Sequence, residues 1–324
     1  LYDDLLTEGP IAARLAHTRE HGEIWHYLAA HLDLRDDWAF PEARGRVTSG
    51  RVLADVLASW ALCVEYAHDL QRPTVAPVLA GLRALERPFV EACREVARQA
   101  RAAHPDAYAR LAVEVEELIE VERQSGTADD LGRIDTFRFE EEQLLAGATA
   151  ALLRAEWSRA LAWAEDRLDG KSFWLDHDPT RKSAWVLVRA AAQLGLAVAG
   201  SRLDYRRASS LAEAAELYVE HGANVDRLHR QLEQACESHL YRRVPLYHEL
   251  RAALDAARAA HAGWADAKAR EWSDLCQREG ALPSSDLQQR RIFDDVVRPL
   301  LDDADKTALL LVDALRFEMV QELL

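Results

Sequence analysis

Leu309-Leu310-Leu311-Val312 runs into Asp313, and Ala314-Leu315-Arg316-Phe317-Glu318-Met319-Val320-Gln321-Glu322-Leu323-Leu324 follows at once. An apolar run that ends in one carboxylate, with an amphipathic helical pattern directly after it, is how a buried parallel strand delivers an Asp to the C-terminal edge of a sheet. α/β enzymes place their chemistry at that edge, where a carboxylate handles a divalent cation or a phosphate. An Asp that only caps the following helix is the structural alternative.

The neighbours of Asp313 exclude two chemistries. A haloacid-dehalogenase phosphatase requires a second Asp two residues on, where Leu315 stands. A dinucleotide fold requires Gly-x-Gly-x-x-Gly after the strand, and no such run follows. Other clusters read as structure. Of His17, His21, His26 and His31, only the first two have the i, i+4 spacing that brings imidazoles to one helix face. Each later step of five turns the cylinder by about 140°. A zincin helix has Glu directly after its first His, and Thr18 stands there, so surface or interface histidines are expected.

Phe173-Trp174-Leu175-Asp176-His177-Asp178 holds three metal-type ligands. In an extended segment, however, Asp176 and Asp178 point away from His177, and Asp178 is engaged as a helix cap. The run Glu114 to Glu122 and Glu140-Glu141-Glu142 read as solvated helix faces. Val225-Asp226-Arg227-Leu228-His229-Arg230 reads as another, with an i, i+4 ion pair between Asp226 and Arg230.

The elements that would position these residues are nearly all helices. The first forty residues suggest short helices anchored by Trp25, Tyr27, Trp38 and Phe40. Leu53, Val56, Leu57, Trp60 and Val64 recur at helical spacing, and Arg72-Pro73-Thr74 breaks that helix. A second is expected from Val75 to Ala103 with Pro88 as a kink or split, ended by His104-Pro105-Asp106. After a Glu-rich stretch from Leu111 to Arg123 and a loop from Ser125 to Gly132, one long helix is expected from Phe139 to Leu168, closed by Gly170. Asp178-Pro179 opens a helix to Ala199, Ser210 and Glu213 form a capping box, and Asn224 caps a helix to Leu240. Pro245 precedes a long helix to Gln277, a further helix runs to Arg298, and a strand begins at Thr307. No repeat of fixed period is visible.

Composition agrees with a helical chain. Hydrophobic residues make up 49% of the 324, Ala-rich, while Gly (14) and Pro (10) are too sparse for a β-sandwich. The net charge of −15 argues against general nucleic-acid binding, though it leaves room for a local basic patch such as Arg202, Arg206 and Arg207. No apolar run suggests a membrane span, no signal peptide is recognised, and the four Cys lack CxxC spacing. A cytoplasmic chain with buried free thiols is expected. Leu1 is not an initiator Met, and one strand with one helix cannot form a sheet, so the chain reads as a segment of a longer protein.

Leu311-Val312-Asp313-Ala314-Leu315-Arg316-Phe317-Glu318, preceded by Arg291-Ile292-Phe293-Asp294 to Pro299-Leu300, resembles the entry to the catalytic domain of the PglZ family. Tyr218-Val219-Glu220-His221-Gly222 to Arg230 is similar, more diffusely, to the helical region ahead of that domain. The resemblance implies an alkaline-phosphatase-like sheet with a metal site, usually zinc, at its strand ends, and it implies that Asp313 is a metal ligand. It also implies phage defence of the BREX type, beside a DNA methyltransferase, an ATPase and small partner proteins. The expected architecture is mainly α. Residues 1–300 form a multi-helix body, with an internal boundary near 170–209, and residues 307–324 are the first strand and helix of an α/β domain. The expected parent is a metal-dependent phosphatase or phosphodiesterase, of which this segment alone is inactive and binds no metal. A non-catalytic helical adaptor for defence-system partners is the alternative.

Overall fold

The computed structural model describes residues 4, 9–18, 23–24, 27, 50–170, 172–285, 288–303, 308 and 316–323. The helical share is 81%, and no strand occurs among the described residues. The expected strand from Thr307, its Asp313, and His21, His26, His31, Trp25, Trp38 and Phe40 lie outside them. The α-helices are α1 (Pro10–Thr18), α2 (Gly50–Asp69), α3 (Arg87–Ala103), α4 (Pro105–Leu118), α5 (Glu120–Ser125), α6 (Arg138–Leu153) and α7 (Trp157–Asp169). They continue as α8 (Phe173–His177), α9 (Pro179–Gly200), α10 (Leu211–His221), α11 (Ala223–His239), α12 (Tyr247–Glu279), α13 (Arg298–Asp303) and α14 (Phe317–Leu323).

Two compact units divide the chain. The first comprises Leu1–Gly147 and Asp166–Lys182, the second Ala148–Glu165 and Ser183–Leu324. In the first, α2 packs against α3 and α4. Of its predicted stripe, Leu53, Val56, Trp60 and Val64 are buried and Leu57 is half-buried; Leu62, Cys63, Tyr66 and Ala67 are buried as well, so the core surrounds this helix. In the second, α10, α11 and α12 pack on one another, and a 3₁₀ turn at Tyr205–Arg207 rests on α12.

Several boundaries follow the sequence closely. The Asp178 carboxylate accepts from the Thr180 backbone N–H at 2.9 Å and hydroxyl at 2.7 Å, opening α9 with Pro179. Ser210 Oγ accepts from Glu213 N–H at 3.1 Å, but the Glu213 carboxylate closes on Ser209, one residue before the cap, at 2.7 Å. Gly280, at φ 87°, ends the 33-residue α12.

Other boundaries correct the sequence reading. Pro88 lies in the first turn of α3, where its missing N–H costs nothing; the preceding residues form two 3₁₀ turns, not a helix from Val75. Gly222 caps α11 and Asn224 sits inside it, accepting from Arg227 Nη2 at 2.6 Å. The helix expected to reach Arg298 is instead a 3₁₀ turn, a π turn and then α13. Phe173–His177 is helical, not extended. The stretch Pro179–Arg207 is long and apolar enough to cross a membrane, with a mean hydropathy of 1.4 in its best window, half of that window buried. No such run was expected, because Ala spreads its apolar character thinly. Trp185, Leu187, Val188, Ala191 and Leu194 are fully buried, as in the core helix of a packed unit.

The long helix expected from Phe139 to Leu168 breaks at Ala155, which takes φ 57°. Glu156 N–H bonds Ala151 C=O at 2.9 Å and Ala155 N–H bonds Leu152 C=O at 3.0 Å, the paired bonds of a Schellman stop. Glycine usually occupies this position, since a Cβ there costs about 1–2 kcal/mol. Ala155→Gly is therefore expected to stabilise the protein by about 0.5–1 kcal/mol after the added entropy of the unfolded chain. Denaturant unfolding measures it, and a loss of stability would show that the left-handed turn is not the resting geometry.

Candidate functional site

The acidic runs are solvated faces only in part: Glu117 and Glu120 are exposed and Glu114 and Glu142 half-buried, as expected, but four other glutamates turn inward. Glu122 is fully buried, and Glu116, Glu140 and Glu141 are buried with it. Glu122 accepts from the backbone N–H groups of Val75 and Ala76, the latter at 2.7 Å, and pairs with Arg72 at 2.8 Å. Glu116 accepts from Arg138 N–H at 2.6 Å and Phe139 N–H at 3.3 Å, Glu140 from Phe137 N–H at 2.7 Å, and Asp69 from Ile134 N–H at 2.9 Å. Asp69, Glu116 and Glu140 thus satisfy donors at the entry to α6 that no helix or sheet could bond, Glu65 accepts there from the Thr136 hydroxyl at 2.9 Å, and Glu122 does the same for the turn ahead of α3. Arg167 lies between Asp135 at 3.9 Å and Glu141 at 3.7 Å, and Arg101 pairs with Glu65.

Burial pushes the carboxyls of Glu65, Asp69 and Glu116 above their ordinary values. It pushes Glu140 well above, with Asp135 and Asp69 adding to the effect. The sequence hides this role because Glu at helical spacing looks the same on either face. In the first unit these groups build the fold.

Of the sequence-predicted ligands, His17 is exposed on α1, and Asp176 and His177 are exposed on α8. His177 stacks on Phe173 at 5.3 Å. Among the described residues, no three His, Cys, Asp or Glu converge as a metal site. Cys63, Cys93 and Cys236 are buried free thiols, and Cys276 is half-buried and free.

Asp226 and Arg230 do not pair as expected. Arg230 reaches Glu322 on α14 at 2.5 Å. Asp226 instead turns inward, accepting from Tyr218 OH at 2.8 Å and facing His261 Nε2 at 3.3 Å. An ionised carboxylate only accepts, so His261 donates from Nε2. Burial alone would raise the Asp226 carboxyl, but the bonds from His261 and Tyr218 with the two nearby imidazoles outweigh it and hold it below its ordinary value. His261 stacks on His229 with centroids 3.8 Å apart and rings 5° from parallel. Burial, then the nearness of His261, lowers the His229 pKa. Arg258 grips Glu233 with two bonds, at 2.7 and 2.9 Å, beside this stack.

Next to Asp226 opens a cavity of about 520 Å³ whose lining includes Tyr205, Tyr218, Asp226, Trp264, Lys268 and Trp272. Leu203 and Leu275, nearly inaccessible, pack beneath it with Tyr205. Tyr205 and Trp272 meet nearly edge to face, centroids 5.3 Å apart at 68°. Lys268 Nζ donates to both oxygens of Glu271, at 3.1 and 3.0 Å, and Glu271 also accepts from Tyr205 N–H at 3.1 Å. The fold places these groups simply. Trp264, Lys268 and Trp272 are spaced i, i+4, i+8 on α12, one stripe of that helix, and α10, α11 and the 3₁₀ turn bring the others to it. That stripe was the available signal; its partners lie tens of residues away.

The arrangement sets an aromatic cavity beside a carboxylate–imidazole pair. Asp226 and His261 have the orientation of an acid–base pair, yet among the described residues no Ser, Thr or Cys bonds either stacked imidazole. Comparison with protein-family models, with curated proteins and with solved structures finds no match to this chain.

Proposed function

We propose that this chain is the helical region of a PglZ-type phage-defence protein of the BREX kind, acting in the cytoplasm. Its parent is a metal-dependent phosphatase or phosphodiesterase. The observation that carries the reading is the motif Leu311-Val312-Asp313-Ala314-Leu315-Arg316-Phe317-Glu318, with a predominantly helical body ahead of it. Asp313 would hold one position of a divalent metal site, zinc by family resemblance, and a metal pair there supplies an activated nucleophile and charge stabilisation on the phosphoryl group. One carboxylate is a single ligand, and by the family resemblance the other ligands and the nucleophile would follow the Asp313 motif in the parent's sequence. The helical body scaffolds that domain and docks the methyltransferase, the ATPase or the small partner proteins. The aromatic cavity of the second unit favours one other reading, a helical adaptor whose α/β part has no catalysis.

The test compares residues 1–324 with the longer parent on a generic phosphodiester with and without zinc. The parent is expected to hydrolyse it only with metal, and residues 1–324 to be silent. Metal-dependent hydrolysis by residues 1–324, abolished by a substitution upstream of residue 300, would overturn the proposal. A parent that carries further Asp and His after Leu324 yet neither binds metal nor turns over would leave the adaptor.

A further inference from the structure

We propose that the cavity of the second unit binds a small organic cation, an alkylammonium group seated against Tyr205, Tyr218, Trp264 and Trp272 with Asp226 as its counter-charge. The inference is independent of the PglZ motif, because every residue it uses lies between 205 and 272.

Four aromatic rings lining one cavity is the composition that attracts ammonium groups, since ring faces carry negative potential and shed little water. The cavity, at about 520 Å³, falls in the range of small-ligand sites, roughly 300–1,000 Å³. Trp264 Nε1 is shielded from solvent without a hydrogen-bond partner, so the part of this indole that faces solvent is carbon. Trp272 is 38% exposed although apolar, left open beside the buried Tyr205.

Charge then selects among ligands. Asp226 is ionised, and each of its oxygens keeps acceptor capacity beyond the bonds to Tyr218 and His261. Among the described residues of the lining Lys268 is the one Lys or Arg, and both oxygens of Glu271 neutralise it at 3.0 and 3.1 Å. Glu271 also faces Arg206 at 3.8 Å, and Asp204 pairs Arg206 at 2.7 Å, so with these neighbours included the wall is net negative, and the chain as a whole carries −15. An anion entering here meets repulsion from both, and a neutral ligand makes no use of Asp226.

The experiment titrates the 324-residue chain calorimetrically with three compounds of one shape: choline, its neutral carbon isostere 3,3-dimethyl-1-butanol, and the anion 3,3-dimethylbutanoate. Saturable binding of choline is expected, with the alcohol at least tenfold weaker and the anion weaker still. Trp272→Ala, at a partly exposed position, is expected to weaken choline at least tenfold. Asp226→Asn should do the same while leaving the alcohol unchanged, with thermal melting to confirm that each variant is folded. A trimethyl-lysine peptide run in parallel separates sources of the same headgroup. Tighter binding of the peptide assigns the cation to a protein partner, and tighter binding of choline assigns it to a free metabolite. Equal affinity for choline and the alcohol, stronger binding of the anion, or no saturable binding of choline or of the peptide would each overturn the proposal without touching the reading of Asp313.

Discussion

Glu122→Ala is expected to cost about 3 kcal/mol or more, the largest stability loss from a single polar substitution in the first unit. The side chain is fully buried, and it holds three groups at once. Val75 and Ala76 give it their backbone N–H groups, and Arg72, itself only 17% exposed, pairs with it at 2.8 Å. Truncation leaves the buried Ala76 N–H without an acceptor, at about 1–3 kcal/mol if no water enters, and the part-buried Val75 N–H at a smaller cost. It also leaves a shielded guanidinium with a weaker partner, Asp130 at 3.7 Å. Glu122→Gln separates the two causes. It keeps one carbonyl acceptor for the N–H groups and removes the charge, so it should recover a substantial part of the loss. Denaturant unfolding of both variants decides the matter. If Glu122→Ala costs less than about 1 kcal/mol, a value typical of a solvent-facing side chain, the clamp does not hold the Arg72–Ala76 turn.

That a residue so deeply used looks like surface in the sequence shows where legibility stops. The period of α2, the Asp178-Pro179 start and the end of α12 near Gln277 were readable because each depends on residues within one or two turns. Ala155 was not, because nothing in Arg154-Ala155-Glu156 forbids a helix and the stop is made by bonds back to Ala151 and Leu152. The buried glutamates were not, because their acceptors serve backbone donors 3 to 47 residues away. Asp226 was placed correctly on a helix and paired wrongly. Its i, i+4 partner Arg230 was the local choice, while Tyr218 and His261 outcompete it from neighbouring helices.

Asp313→Asn in the longer parent is expected to abolish phosphodiester hydrolysis and lower metal content while leaving thermal melting nearly unchanged. The substitution removes one negative ligand oxygen and keeps the shape. Asn is as good a helix N-cap as Asp, so a capping role alone predicts a change of about a few tenths of a kcal/mol and full activity. Loss of a metal ligand instead removes the charge that holds the cation, and a hydrolase of this kind has no second route to its nucleophile. Metal stoichiometry, turnover and melting are measured on the same preparations. Unchanged stoichiometry with unchanged turnover would make Asp313 a cap and withdraw the residue on which the hydrolase reading stands.

The carboxyls that serve the entry to α6 also decide how folding is coupled to protons. Glu65, Asp69, Glu116 and Glu140 each hold a proton more tightly when folded than an ordinary carboxyl does, burial being the first cause in every case. For these four groups the sign is that of an acid raised on folding. Their contribution to stability is complete below the unfolded value and is lost as pH climbs through the folded one. Folding of the first unit is thus a proton uptake at these sites. At these four sites mild acid favours the folded form, the opposite of Asp130 in the same unit, whose carboxyl the Thr127 N–H and hydroxyl hold below its ordinary value, and alkali is the condition that tests them.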